Sequence, residues 1–480
     1  MPSTPGKEIG PATFEARDRG DQHMIVMKFG GTSISDADSI ERVASIIYSS
    51  LDHNPVIVNS AMAKTTRKLL DAAQYSAAGN IRDAMITLSD IYGYHTSLAA
   101  QLLSPTMADD TNTMLAHYYD ELLALLDGLS ILHELPPRSQ DRILSYGELM
   151  ATVITSQLFR ERHIPTVLCD ARNFIITDDR FTRAQPIEHI TYDRIRTHLQ
   201  PIMDSGQVPV IQGFIGSTRN GDTTTLGFEG SDFSAALIGA ALDVSHIQIW
   251  KDVNGIMTAD PAVCPGVRTV KTISFAEAAK LTFFGAKVLH PSSIQPARHK
   301  NIPVHIYNSK APDAIGTIIT AHSKPETHMI KSITYKTPVI VMRLHGDDSV
   351  PPHHLLRTTC DTLDREHIIP CSMASEGSSI TMVLTETKHV TQLAEELGRC
   401  GTITIARNKA AVTLVGNNLN THRILSGIVC QSMTGIPIEM IAQGSAPTAC
   451  TIVVSEQDMP SVLASLHEHF FSDPDPALFE

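Results

Sequence analysis

The rhythm of this chain changes once, and that change constrains its fold more than any single motif. From 24 to 320 short β-rich runs at 24–29, 56–60, 166–169, 208–212, 247–251 and 303–307 alternate with amphipathic stretches such as 111–134, 141–163 and 231–243. Strands separated by helix-length connections predict an α/β sandwich built on a mainly parallel sheet. After a polar junction at 321–335 the order becomes strand 338–344, helix 353–366, strands 367–373 and 378–384, helix 388–399 and strand 402–406. It then recurs as strand 410–416, helix 421–433, strands 437–442 and 449–455, and helix 459–470. Each unit of about seventy residues reads βαββαβ or nearly so, a ferredoxin-like arrangement. The expected organisation is a tail over 1–22, an α/β domain over 23–320, and two α+β units over 330–406 and 407–476.

Composition narrows the function classes. A formal charge of −13, with no Lys/Arg-rich block, argues against nucleic acid as a partner. No apolar run approaches the roughly 18–20 residues of a membrane span. The first 22 residues mix Pro, Gly and charge without an apolar core, and read as a disordered tail rather than a secretory signal. Seven cysteines, scattered and without a CxxC pair, fit reduced thiols in a cytoplasmic protein, not disulfides or a zinc site. The 22 histidines include His467 and His469 around Glu468 but no HExxH, and read as surface residues with no metal-ligand set.

Chemistry concentrates in glycine-rich turns. MIVMKFGGTS (24–33) is an apolar run that ends in Lys28, followed by Gly30, Gly31 and two hydroxyls. Glycines let backbone approach a ligand closely, and successive N–H groups make an anion-binding concavity. The helix expected over 33–47 has Ser35 or Asp36 as its N-cap, with Ile40, Val43, Ala44 and Ile47 on one face. The segment is not a GxxxxGK[ST] loop. A second glycine- and hydroxyl-rich loop (213–230) runs into a helix at Ser231–Asp232, where an acidic first turn suits the helix dipole. A third strand ends in Lys251–Asp252 before an Asn254–Gly255 turn, and a fourth segment, FFGAKVLHP (283–291), carries Lys287.

Taken together, KFGGTS (28–33), SYGE (145–148), TTTLGFEGSD (223–232), DVNGIMTADP (252–261) and FFGAKVLHP resemble aspartate kinases in order and spacing, over roughly 24–475. The paired C-terminal units resemble that family's ACT domains. The resemblance implies transfer of the ATP γ-phosphoryl group to the side-chain carboxylate of L-aspartate, giving 4-phospho-L-aspartate, with Mg²⁺ accompanying the nucleotide. It implies that Lys28 contacts the transferring phosphoryl group, with Gly30 and Gly31 lining its approach. Ser60 and Thr66 correspond to hydroxyl contacts near phosphate and substrate, and Glu148 to the group that holds the substrate ammonium. Ser231 and Asp232 correspond to substrate-binding and lysine-orienting positions. Lys251, Asp252, Met257 and Lys287 fall where nucleotide is bound. It further implies feedback by lysine or threonine at the ACT domains, within a homo-oligomer serving lysine, threonine and methionine biosynthesis.

One departure bears on the acceptor. The family usually has arginine at the position of Phe228, where it grips the substrate α-carboxylate. Phenylalanine cannot make that contact, and Glu229 adds negative charge beside it. A charged hydrogen bond contributes about 1.5–3 kcal/mol, so its loss costs roughly one to two decades of affinity. Another arginine, Arg183 or Arg219, is expected to supply the contact. Lys251 and Met257 also stand where a hydroxyl residue and an aromatic are common. Alternative readings are a catalytically weakened amino-acid sensor and an acyl-phosphate kinase for a related acidic amino acid.

Overall fold

The computed structural model describes residues 24–480 except 228, 287–288, 291, 322–329, 348–349, 388, 422–424 and 444–445. The tail expected over 1–22, and the residues Phe228 and Lys287, lie outside that set. The chain starts with β1 (Ile25–Phe29), all of whose residues are buried, then α1 (Ala37–Ser49) and β2 (Pro55–Asn59). Asp36 caps α1 as expected: it is extended, and its side chain accepts the Ser39 amide at 2.8 Å. Four helices follow, α2 (Thr65–Ala77), α3 (Ile81–Leu102), α4 (Pro105–Leu132) and α5 (Pro137–Glu161). Pro105 and Pro137 start the last two, where a missing N–H costs nothing. Next come β3 (Thr166–Cys169), β4 (Ile176–Thr177), α6 (Glu188–Asp204), β5 (Val208–Gln212), β6 (Ile215–Thr218), β7 (Thr223–Thr225), α7 (Gly230–Leu242) and β8 (His246–Lys251). Then β9 (Thr272–Ser274), α8 (Phe275–Phe283), α9 (Gln295–His299), β10 (Val304–Asn308) and β11 (Thr317–Thr320) close this half.

The main sheet has the order β3-β5-β2-β1-β8-β10-β11-β9, parallel throughout except between β10 and β11. Strands β1 and β8 are neighbours although most of the domain separates them in sequence. That junction is where the strand order reverses, and in open α/β sheets the crevice beyond the carboxyl ends at such a point receives ligands. Lys28 faces Ile249 in the register, and the Gly30 amide donates to Trp250 O at 3.1 Å. Ser60, Gly213 and Lys251 stand at the carboxyl ends of neighbouring strands. Sheet topology alone thus brings the three segments together.

The C-terminal part comprises β12 (Ile330–Gly346), α10 (Pro352–Arg365), β13 (Ser372–Glu376), β14 (Ser379–Thr385), α11 (His389–Leu397), β15 (Gly401–Gly416), α12 (Leu425–Ser432), β16 (Met440–Ala442), β17 (Ala449–Ser455) and α13 (Met459–Phe471). All its strands lie in one sheet, β13-β14-β12-β15-β17-β16. Two βαββαβ units are present, but they are nested rather than strictly consecutive. Val339–His345 of β12 pair with β14 and with the first part of β15, whereas Ile330–Lys336 pair with 411–416 of β15. The second unit therefore takes its fourth strand from residues ahead of the first, with a register shift between Lys336 and Val339 marking the change.

The polar junction expected through 335 is corrected at its C-terminal end, where Lys331, Ser332 and Thr334 are buried in β12. Polar residues are accommodated there because each has a partner on the α/β half. Lys331 Nζ lies 3.3 Å from Glu277 Oε2 of α8, with both side chains fully buried, and Ser332 Oγ donates to Met257 O at 2.7 Å. Glu277 also closes a capping box with Ser274 at the start of α8. Breaking a buried pair by removing one partner strands the other charge. A Lys331→Met variant should lose about 3–5 kcal/mol of stability in urea unfolding, and adding Glu277→Gln should recover part of it. Equal losses in the single and double variants would show that the charges are not coupled.

Candidate active site

The carboxyl ends of β1 and β8 meet the first turn of α7. Lys28, 6% exposed, reaches Asp232 Oδ1 at 2.5 Å, and Lys251 Nζ stands 3.2 Å from Asp232 Oδ2. One carboxylate thus aligns two cations. Burial pushes the Asp232 carboxyl up, but the charges of Lys28 and Lys251 outweigh it and hold the group below its usual value. Burial would likewise lower the pKa of Lys251, yet Asp232, Glu229 and Asp252 together raise it. Both groups are therefore charged at neutral pH.

Close backbone approach shapes the surrounding wall. A Cβ on Gly31 would lie 2.4 Å from Ala61 O, and one on Gly213 would lie 2.5 Å from Ser231 Cβ, so neither position admits a side chain. Gly30 spends its amide on the sheet, and the Ser33 amide closes the turn on Gly30 O at 2.9 Å. The loop after β2 is held in an unusual conformation, with Ala63 and Lys64 both at positive φ (43° and 60°) between Ser60 and Thr66. Such strain concentrates at functional sites. Phe214 N donates to Ser234 Oγ at 3.0 Å, which fixes the segment after β5 to α7.

Glu148 faces this loop from α5. Gly147 makes the approach possible, since a Cβ there would already touch Ala61 Cβ at 3.0 Å and Thr66 Oγ1 at 3.3 Å. Ala61 N–H donates to Glu148 Oε1 at 3.2 Å, while Oε2 is buried without a hydrogen-bond partner. Burial pushes the Glu148 pKa up to about 8, against the opposing effects of the Ala61 amide, its own amide, the Thr66 hydroxyl and the Lys28 charge. A buried carboxylate oxygen with no donor suits a cationic group on a ligand.

Two further expected residues, Asp252 and Met257, have partners outside the Lys28–Asp232–Lys251 cluster. Asp252 is partly exposed, 4.0 Å from Lys310. Met257 bridges to Thr269 as an isolated pair. Lys287 lies outside the described residues; His290 donates its amide to Glu229 Oε2, just before α7. Glu229 itself sits at φ 53° as the residue before α7, with Oε1 3.8 Å from Lys251. Its role had no signal beyond its departure from the usual motif.

Of the two arginines, Arg183 lies beside Gly227. A Cβ on Gly227 would lie 3.6 Å from Arg183 Cγ. The buried Asp141 carboxylate ties the two segments together, accepting Thr182 N at 2.8 Å and Thr225 N at 2.9 Å. Arg219 instead occupies the exposed turn between β6 and β7. Among the described residues no group of three or more His, Cys, Asp or Glu side chains could hold a metal ion.

Comparisons with known proteins agree with this geometry. Residues 23–308 match the model of the amino acid kinase family, and 412–470 match an ACT domain. Aspartokinase 2, chloroplastic, of Arabidopsis thaliana is 33% identical over 97% of this chain and 87% of its own length. Lysine-sensitive aspartokinase 3 of Escherichia coli is 30% identical, over 93% and 99% respectively. The crystal structure of E. coli aspartokinase III in complex with aspartate and ADP (R-state) superposes with a TM-score of 0.81 at 28% identity, covering 93% of this chain and all of that one. The same enzyme in complex with lysine and aspartate (T-state) gives 0.79 at 29% identity, over 93% and 99%. The chain therefore belongs to the aspartokinases, ATP-dependent kinases that act on aspartate.

Proposed function

We propose that the Lys28–Asp232–Lys251 cluster is the phosphoryl-transfer centre, and this shared carboxylate is the observation that carries the assignment. The acceptor carboxylate has a pKa near ~3.9 and is ionised at neutral pH, so no general base is needed. Its oxygen attacks the γ-phosphorus, the bond to the bridging oxygen breaks, and ADP leaves with that electron pair. The barrier lies in bringing one anion to another and in the charge that spreads over the transferring group. Lys28, held rigid by Asp232, meets that charge without reorganising, and the turn at Gly30–Gly31 admits the phosphates. Ser60, Thr66 and Ser231 line the acceptor side, while Lys251, Asp252, Met257 and Lys287 belong to the nucleotide side.

Both oxygens of Asp232 face lysines, so the donor set offers no separate metal cage. Mg²⁺ fits here as an ion carried on the ATP phosphates, where it neutralises phosphate charge. On the regulatory side, lysine or threonine is the effector that the ACT units would take, within a homo-oligomer. The boundaries that accord with this division are 23–320 for catalysis and 330–476 for regulation, with Ile330–Lys336 shared into the second unit. The cysteines are unpaired among the described residues, as in a reducing cytoplasm.

Glu148 receives the substrate ammonium on its unpartnered oxygen. The ammonium requires the ionised carboxylate, which in the free site is reached only as pH rises toward about 8. Accordingly kcat/KM for aspartate should climb with pH up to that value and level off above it. Glu148→Gln should flatten the climb and lower kcat/KM about ten- to a hundredfold. A Gln variant with the wild-type profile would refute this role.

Arg183 replaces the guanidinium missing at Phe228. Arg183→Ala should raise KM for aspartate about tenfold or more, with KM for ATP unchanged and Arg219→Ala without effect. An unchanged KM in Arg183→Ala would exclude it.

A further inference from the structure

His467, expected at the surface, is buried on α13, and its Nε2 lies 2.9 Å from Thr258 Oγ1. Thr258 belongs to the nucleotide-side segment that begins at Lys251. Its hydroxyl accepts the Arg268 amide at 3.0 Å and keeps its own proton and a second lone pair, so it can bond either tautomer of the ring. Burial, with the Arg268 charge adding to it, lowers the His467 pKa and keeps the ring neutral. A cleft of about 310 Å³ is bordered by Cys264, Gly266, His467 and Phe471.

The same segment is gripped from several sides. Ile333 N of β12 donates to Thr258 O at 2.7 Å, and Ile256 N donates to Thr317 Oγ1 at 2.8 Å. Val270 N reaches Ile256 O at 2.8 Å, and the strip 269–271 is covered in turn by the end of the chain. Glu480 N donates to Thr269 O at 3.0 Å, Lys271 N donates to Leu478 O at 2.8 Å, and the Phe479 ring meets Phe471 of α13 edge-on at 5.4 Å. The regulatory half thus touches the nucleotide-side loop directly, through a side chain on its last helix.

We propose that His467 is a positioning residue for ATP: through Thr258 it holds the 252–258 loop in the shape that receives the nucleotide. The inference rests on the assignment of that loop to ATP. It concerns the nucleotide alone, because Glu148, Ser60 and Thr66 lie on other elements.

Steady-state kinetics on the full-length protein test it, with circular dichroism and sedimentation confirming fold and assembly. His467→Leu and Thr258→Val should each raise KM for ATP about three- to tenfold while KM for aspartate stays within twofold. The double variant should be no worse than Thr258→Val alone, because that substitution already removes the bond to His467 together with the acceptor of the Arg268 amide. His467→Gln, whose amide oxygen can accept the threonine proton, should restore KM for ATP. Should His467→Leu not fold, Thr258→Val and His467→Gln carry the comparison. An unchanged KM for ATP in the folded variants, or equal rises in both KM values, overturns the proposal. Lys251→Met separates the two levels. If it raises KM for ATP while His467→Leu does not, the positioning role alone fails. If it leaves KM for ATP unchanged, the nucleotide assignment fails and the role of His467 falls with it.

Discussion

The ion cluster of Lys28, Asp232 and Lys251 is the constraint on which the rest of this structure depends. Burying a single charge costs several kcal/mol, and burying three is tolerable only when each lies against its opposite. The β1–β8 adjacency, the helix start at Gly230 and the glycines at 31 and 213 all serve to bring those groups within reach. The result is a pair of cations oriented before substrate arrives. Preorganised charge of this kind is worth most where water is excluded. Asp232 contacts both lysines.

A second theme is how regulation reaches that centre. The regulatory sheet is not a free-standing module hung on a linker. Its first strand carries Lys331 into a buried pair with α8, and Ser332 and Ile333 bond the backbone at Met257 and Thr258. Nesting makes this possible: Ile330–Lys336 belong to the sheet of the second unit while lying against the α/β half. Strand β12 is thus shared by both units and bonded to the backbone at 257–258.

Much of this was legible in the sequence, for identifiable reasons. The strands at 166–169 and 208–212 match the structure residue for residue, because buried parallel strands are short apolar runs between turn signals. The Asp36 cap and the apolar face of α1 follow from local chemistry. Glycines 30 and 31 and the residues Lys28, Glu148 and Asp232 were found through motifs, and the structure brings the three side chains into one region. Helices α2 and α3 were passed over, since Ile81–Leu102 mixes polar and apolar residues without a clean stripe. What sequence could not show was partnership at a distance. Lys331 looks like a solvated charge until Glu277 faces it, although Ser274-x-x-Glu277 was a readable capping box. His467 looks like a surface histidine until Thr258 is folded against it. Nesting was hidden for the same reason, because local pattern identifies a strand and not its neighbour.

The central claim is that this site makes an acyl phosphate on the side chain of aspartate by electrostatic positioning centred on Lys28. Trapping the product with hydroxylamine across a panel of acidic amino acids tests it most directly. The account predicts hydroxamate formed best from L-aspartate, and a Lys28→Ala variant that retains its fold but makes at least about a hundredfold less. Hydroxamate from none of the panel, or undiminished product from Lys28→Ala, would contradict it.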